Sequence, residues 1–202
     1  MEIKDTYLTI ATPSEEVLFK EKNSKFIGYA FPISSEQEVK IHIENLKKQH
    51  FSARHFCYAY QIGTTTIQYR TNDDGEPNNS AGMPIYGQIK SFDLTNILVV
   101  VIRYFGGVKL GVGGLISVYK TTAHMAIEHA EIIEKTINIH FTIRFDYKIL
   151  NKVMRIIKEN NLIIVSQNMN ENCEMELATR KKNAKIIFDI FKGIFELEIF
   201  EG

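Results

Sequence analysis

The sequence predicts an α+β chain of two domains, residues 1–134 and 135–202. Three observations predict it. The most apolar run, Ile97 to Ile102, is rich in β-branched residues and far too short to span a bilayer, so it reads as a strand buried on both faces. Five glycines then fall between Gly106 and Gly114, and after them apolar residues recur at helical spacing. Beyond Glu134 the texture changes to strand and helix patterns in the order βαββαβ. That order is the ferredoxin-like split βαβ arrangement.

In the first domain, residues 16–33 predict two strands, "EVLFK" and "FIGYAFPI", around the turn "EKNSK". Ser34 and Ser35 are placed to cap a helix that runs to about His50, with Val39, Ile43 and Leu46 on its apolar stripe. "HFCYAYQI" at 55–62 is a strand, and a short strand follows around "TIQYR". The turn formers of "TNDDGEPNNS" at 71–80 predict a surface loop. A short helix begins near Ser80, since Pro84 is tolerated only in a first turn. The core strand "LTNILVVVIRYF" and the glycine loop lead into a helix over 113–130, whose inner face holds Leu115, Tyr119, Thr122, Ala123, Ala126 and Ala130. In the second domain the pattern predicts strand 136–145, helix 147–160, strands 162–169 and 172–179, helix 181–192 and strand 194–200.

Charge excludes a polycation. Lysine plus arginine number 24 and so do aspartate plus glutamate, giving a net charge of zero. The first domain carries 13 basic and 15 acidic side chains, the second 11 and 9. Nucleic-acid binding therefore requires a local patch. Cys57 and Cys173 lie far apart with no metal-ligand spacing. "MEIKDTYLTI" has no basic start followed by an apolar core, so a reducing cytoplasm is the expected location.

Three stretches carry chemistry. In the glycine loop, Gly106 and Gly111 have the P-loop gap, but Val112 and Gly113 stand where Lys and Ser/Thr are required. The dinucleotide pattern started at Gly111 fails at Ile116. What remains is a strand–loop–helix unit that points backbone amides and a helix N-terminus at an anion, with Arg103 and Lys109 adding positive charge. The competing reading is that the glycines supply positive φ and close packing. In "NDDGEP", Asp73, Asp74 and Glu76 put three carboxylates in four residues, suited to a divalent cation, to acid–base work, or simply to a solvated turn. In "ARHFCYAY", strand alternation puts His55, Cys57 and Ala59 on one face and Arg54, Phe56, Tyr58 and Tyr60 on the other. The first face offers a thiol and an imidazole, and the second offers either core aromatics or a stacking platform.

"SARHFCYAY" at 52–60, "DDGEP" at 73–77, "AGMP" at 81–84 and "VVVIRYFGGVKLGVGGL" at 99–115 together resemble the IMPACT family, in its YigZ-like bacterial branch. The core match spans about residues 15–130, and the second domain resembles the C-terminal module of the bacterial members. The resemblance implies a first domain with the ribosomal protein S-five domain 2-like fold, shared with domain IV of elongation factor G. It implies a ferredoxin-like second domain similar to domain V of that factor. It also implies a link to translational control, because the eukaryotic members resemble translation regulators. Those members carry an extra N-terminal interaction domain where this chain carries the ferredoxin-like module, which sets their kinase-pathway role apart. No metallopeptidase ligand set is present.

The expected function is that of a cytoplasmic, non-enzymatic binding protein linked to translation. RNA, the ribosome or a translation-associated protein is its partner, without membrane, metal or cofactor. Arg103 and Lys109 would contact phosphate, the amides around Gly106, Gly107, Gly113 and Gly114 would cradle it, and Arg54 would assist. Two alternatives stand beside it. One is a hydrolase or phosphoryl-transfer enzyme in which Asp73, Asp74 and Glu76 hold a metal or act as base while His55 shuttles protons. The other is a protein-interaction regulator without nucleic-acid contact.

Overall fold

The computed structural model describes residues 4–170 and 172–201. The chain runs β1 (Thr6–Ile10), β2 (Val17–Glu21), β3 (Ser24–Pro32), α1 (Glu36–Gln49), β4 (His55–Ile62), β5 (Gln68–Asn72), α2 (Gly82–Ser91), β6 (Ile97–Tyr104), α3 (Gly111–Glu128) and β7 (Ile132–Thr136). Then come β8 (Asn138–Asp146), α4 (Leu150–Glu159), β9 (Ile163–Met169), β10 (Asn172–Arg180), α5 (Ala184–Lys192) and β11 (Leu197–Glu201). The architecture is α+β in two units. One is Tyr7–Lys135, and the other comprises the described residues from Thr136 onward together with residues 4–6.

In the first unit, β6 lies at the centre of an antiparallel sheet ordered β2-β3-β6-β4-β5. Its side chains alternate between two cores, which explains why a central strand reads as unbroken hydrophobicity. Val99 and Val101 meet α2 and α3, through Ile85, Ile89, Val118, Tyr119 and Ala123. Leu98, Val100 and Ile102 meet Val39 and Leu46 of α1. As the alternation of β4 predicts, Cys57 and Ala59 fall in the first core and Phe56 and Tyr60 in the second. Phe56 and Tyr60 are thus core residues and offer no platform for bases. The Ser35 hydroxyl caps α1 by accepting from the Glu38 amide, and Ser34 Oγ donates to the Glu38 carboxylate at 2.6 Å. Pro84 sits in the first turn of α2.

The sequence reading assigned no element to β1 or β7, which form their own two-stranded sheet. Both are five residues long and neither alternates in burial: β7 is exposed at all but one position and β1 at none, so alternation along either is a weak signal.

In the second unit the antiparallel order is β11-β8-β10-β9. The strands joined by α4 are therefore not neighbours, since β10 is inserted between them. This is the ferredoxin-like topology. Phe141, Ile143, Met175 and Leu177 of the sheet pack against Val153 and Ile157 of α4 and Ile187 and Phe191 of α5. Both helices start later than predicted because the first turn is a 3₁₀ turn, at Tyr147–Ile149 and at Lys181–Asn183. Among the described residues, no helix is long and apolar enough to cross a membrane.

Helix α3 approaches the first sheet closely over Gly28, where an added Cβ would lie 3.0 Å from the Thr122 carbonyl oxygen and 2.8 Å from Val17 Cγ2. Gly28→Ala is expected to destabilise the first unit by about 1–3 kcal/mol, read as an earlier chemical denaturation midpoint.

Candidate functional site

The sheet sets Phe26, Arg103 and His55 side by side, because Arg103 of β6 is opposite Phe26 on β3 and His55 on β4. Arg103 is buried, with its guanidinium over the rings of Phe26 (5.4 Å) and Phe105 (5.2 Å). Its Nη1 donates to Glu76 Oε1 at 2.7 Å. The Tyr119 hydroxyl donates to the same oxygen at 2.9 Å. Removing one member of a buried ion pair leaves the other charge uncompensated, at a cost of about 3–5 kcal/mol. Burial, and then the neighbouring Cys57, hold the Tyr119 hydroxyl in its protonated, donating form. Burial likewise pushes the Cys57 thiol far up, and it lies 3.0 Å from the Asp73 carbonyl. Cys57 is thus a packed thiol and not an activated nucleophile.

The three carboxylates of the 73–76 loop have separate tasks. Asp73 Oδ1 accepts from the Ala81 and Gly82 amides (3.0 and 2.8 Å) and Oδ2 from the Asn79 amide (2.8 Å), so it caps α2 from a distance. Asp74 Oδ2 accepts from the Phe56 amide at 2.7 Å, which ties the loop to β4. The Asp74 carbonyl is 2.9 Å from His55 Nδ1. A carbonyl only accepts, so His55 Nδ1 is the donor in this bond. Only Glu76 reaches Arg103. Among the described residues no group of His, Cys, Asp and Glu gathers as a metal-ligand set.

The glycines divide in the same way. The Gly106 amide donates to Ser24 Oγ at 3.1 Å, and a Cβ there would fall 2.1 Å from the Asn23 carbonyl carbon. Gly106 is a close-packing glycine, which corrects the expectation that its amide cradles an anion. Gly107 (φ +86°) and Gly111 (φ +73°) supply left-handed backbone and turn the chain into α3. The helix begins at Gly111, two residues earlier than predicted. Its first internal bond engages the Gly114 amide, so the amides of Gly111, Val112 and Gly113 form the open end. Among the described residues no side chain caps that end, and its first turn holds no acid.

A cleft of about 400 Å³ opens at this end of α3. His55, Glu76 and Arg103 line it together with Lys109 and Gly111, and Pro77, Phe105, Leu110, Val112 and Leu115 supply apolar walls. The structure thus brings His55, one of the three carboxylates, and the loop's basic residues to one concavity. Asp73, Asp74, Gly106, Gly107, Gly113, Gly114 and the exposed Arg54 are not among its lining residues. Sequence reasoning missed the role of Tyr119, which sits on the core stripe of α3. The available signal is that a buried tyrosine needs a hydrogen-bond partner.

A family model for the Impact N-terminal domain matches residues 22–127, which contain every residue of the cleft. The chain belongs to the IMPACT family. The IMPACT family member YvyE of Bacillus subtilis is 35% identical over 88% of this chain and 81% of its own length. YigZ of Escherichia coli is 31% identical over 71% of each. A crystal structure of a hypothetical protein superposes with a TM-score of 0.75 at 24% identity, covering 99% of this chain and 98% of that one. The fold of this IMPACT chain is therefore shared over both units.

Gly106→Ala is expected to cost about 3 kcal/mol, since the clash is with backbone, whereas Gly113→Ala, where a Cβ meets open space, stabilises by up to about 1 kcal/mol. Thermal midpoints of the two variants check the contrast. Both cysteines are buried, so neither thiol of the folded protein should react with a disulfide reagent at pH 8, and both should react in denaturant.

Proposed function

We propose that this IMPACT chain is a non-enzymatic cytoplasmic binding protein of translational control that holds an RNA phosphate at the open end of α3. The observation that carries the reading is the uncapped N-terminus of an 18-residue helix, opening with Lys109 into the cleft. Arg103 and Glu76 neutralise each other on the floor. Lys109 makes no ion pair among the described residues, so it and the helix end leave the mouth positive. The family resemblance supports the link to translation. Asp73 and Asp74, bonded to backbone amides, give no support to a hydrolase that would need them free. A second reading, docking of a protein without nucleic-acid contact, is favoured by the exposed apolar side chains of Val108, Val112 and Ile116 around the start of α3.

The test is titration of the full chain with structured RNA and with ribosomal subunits at two salt concentrations. Binding is expected to fall steeply as salt rises, and Lys109→Glu is expected to weaken it about tenfold and reduce the salt slope by about one. No binding at low salt, or no effect of Lys109→Glu, overturns the proposal. Capture of a partner that survives nuclease treatment would favour the protein reading.

A further inference from the structure

We propose that β9 is a self-pairing edge, through which two copies of this chain associate as a reversible dimer with a continuous sheet of eight strands. β9 ends the second sheet, and among the described residues β10 is its one strand neighbour. Alternate residues of an outer strand point their amide and carbonyl away from the sheet, and these groups fit another β-strand. All seven residues of β9, Ile163–Met169, are exposed. Its sequence, "IIVSQNM", has no charge and no proline, the devices that ordinarily blunt an edge. The other outer strands of the two larger sheets carry charge: Lys20 and Glu21 in β2, Arg70 in β5 and Glu198 in β11. A bulge at Val165, where the register against β10 shifts, leaves Ser166–Met169 regular.

The side chains identify the partner. Residues directly opposite across a ladder share a face. Ile164 is opposite Leu177, and Met169 is opposite Cys173. Leu177 and Cys173 are wholly buried in the core beneath the helices, yet Ile164 and Met169 keep 36% and 37% of their surface exposed. The helix layer thus stops short of the edge while the inner face is still apolar. A strand that covers these positions needs apolar inner residues of its own and a helix layer on the same side. A second copy, related by a two-fold axis perpendicular to the sheet, has both. Antiparallel pairing brings Ile164 of one copy toward Met169 of the other. With no charge on the strand a copy meets no repulsion there, and Glu174 on the next strand is already paired with Arg144. The contact is isologous and uses up both edges, so assembly stops at two. The joined sheet then ends in the charged β11 on either side. A pairing of seven residues buries less than a standard interface, so the dimer is weak.

The experiment is sedimentation velocity of the full chain over about a hundredfold range of concentration, with hydrogen exchange of β9 measured at the two extremes. The unmodified chain is expected to pass from monomer to dimer, with slower exchange in β9 at the high extreme. Gln167 is exposed and lies in the regular part of the strand. Gln167→Lys and Gln167→Glu each set like charges near one another across the two-fold, and each should weaken association about tenfold with the circular dichroism spectrum unchanged. An equimolar mixture of the two variants should restore it. A chain that stays monomeric throughout, its edge free or filled by another protein's strand, overturns the inference. So does a dimer whose β9 exchange does not slow, a variant that associates as the unmodified chain does, or a mixture that associates no better than either variant alone.

Discussion

The buried Arg103–Glu76 pair ties together three parts of the chain that local structure leaves separate. Arg103 comes from the central strand, Glu76 from the 73–79 loop, and Tyr119, which donates to the same oxygen, from the middle of α3. Taking two charges out of water costs several kcal/mol each, and Coulomb attraction offsets this only when further hydrogen bonds satisfy the groups. Here the carboxylate oxygen takes two donors, and two aromatic rings cover the guanidinium. An arginine fits this position better than a lysine because its planar group stacks while it donates. The pair therefore sets where the loop and the helix end lie, and with them the walls of the cleft.

The acidic loop is a rigid part of that wall. Asp73 bonds the backbone entering α2, Asp74 bonds the β4 backbone, and Gly75 has φ +87°, which lets the chain turn between them. Three carboxylates in four residues suggest a cation site when seen as a string. Folded, they point to three different targets, and each has its own positive or N–H partner. Like charges so close in sequence avoid repulsion in this way, and the loop gains an ordered backbone.

Much of the fold was legible because hydrophobic periodicity is a local property. The two-faced burial of β6, the capped start of α1 and the βαββαβ order all follow from spacing and turn residues. What was not legible depends on contacts distant in sequence. The two-stranded sheet of β1 and β7 joins opposite ends of the first unit. The role of Gly106 depends on Asn23, and the orphaned Nε of Arg103 depends on how one guanidinium is shared. The five glycines look alike in sequence. In the structure one packs, two turn the chain, one opens the helix end, and one is already inside the helix.

The anion site proposed at the cleft has to work within a chain of zero net charge. The first unit, Tyr7–Lys135, carries 13 basic and 13 acidic side chains, so no long-range field draws a polyanion toward it. The positive character is instead local, made of one lysine and the end of a helix, and it fades beyond about 8–10 Å at ordinary ionic strength. Such a site gains little from electrostatic steering, so its selectivity has to arise at contact, from the shape and apolar lining of its walls.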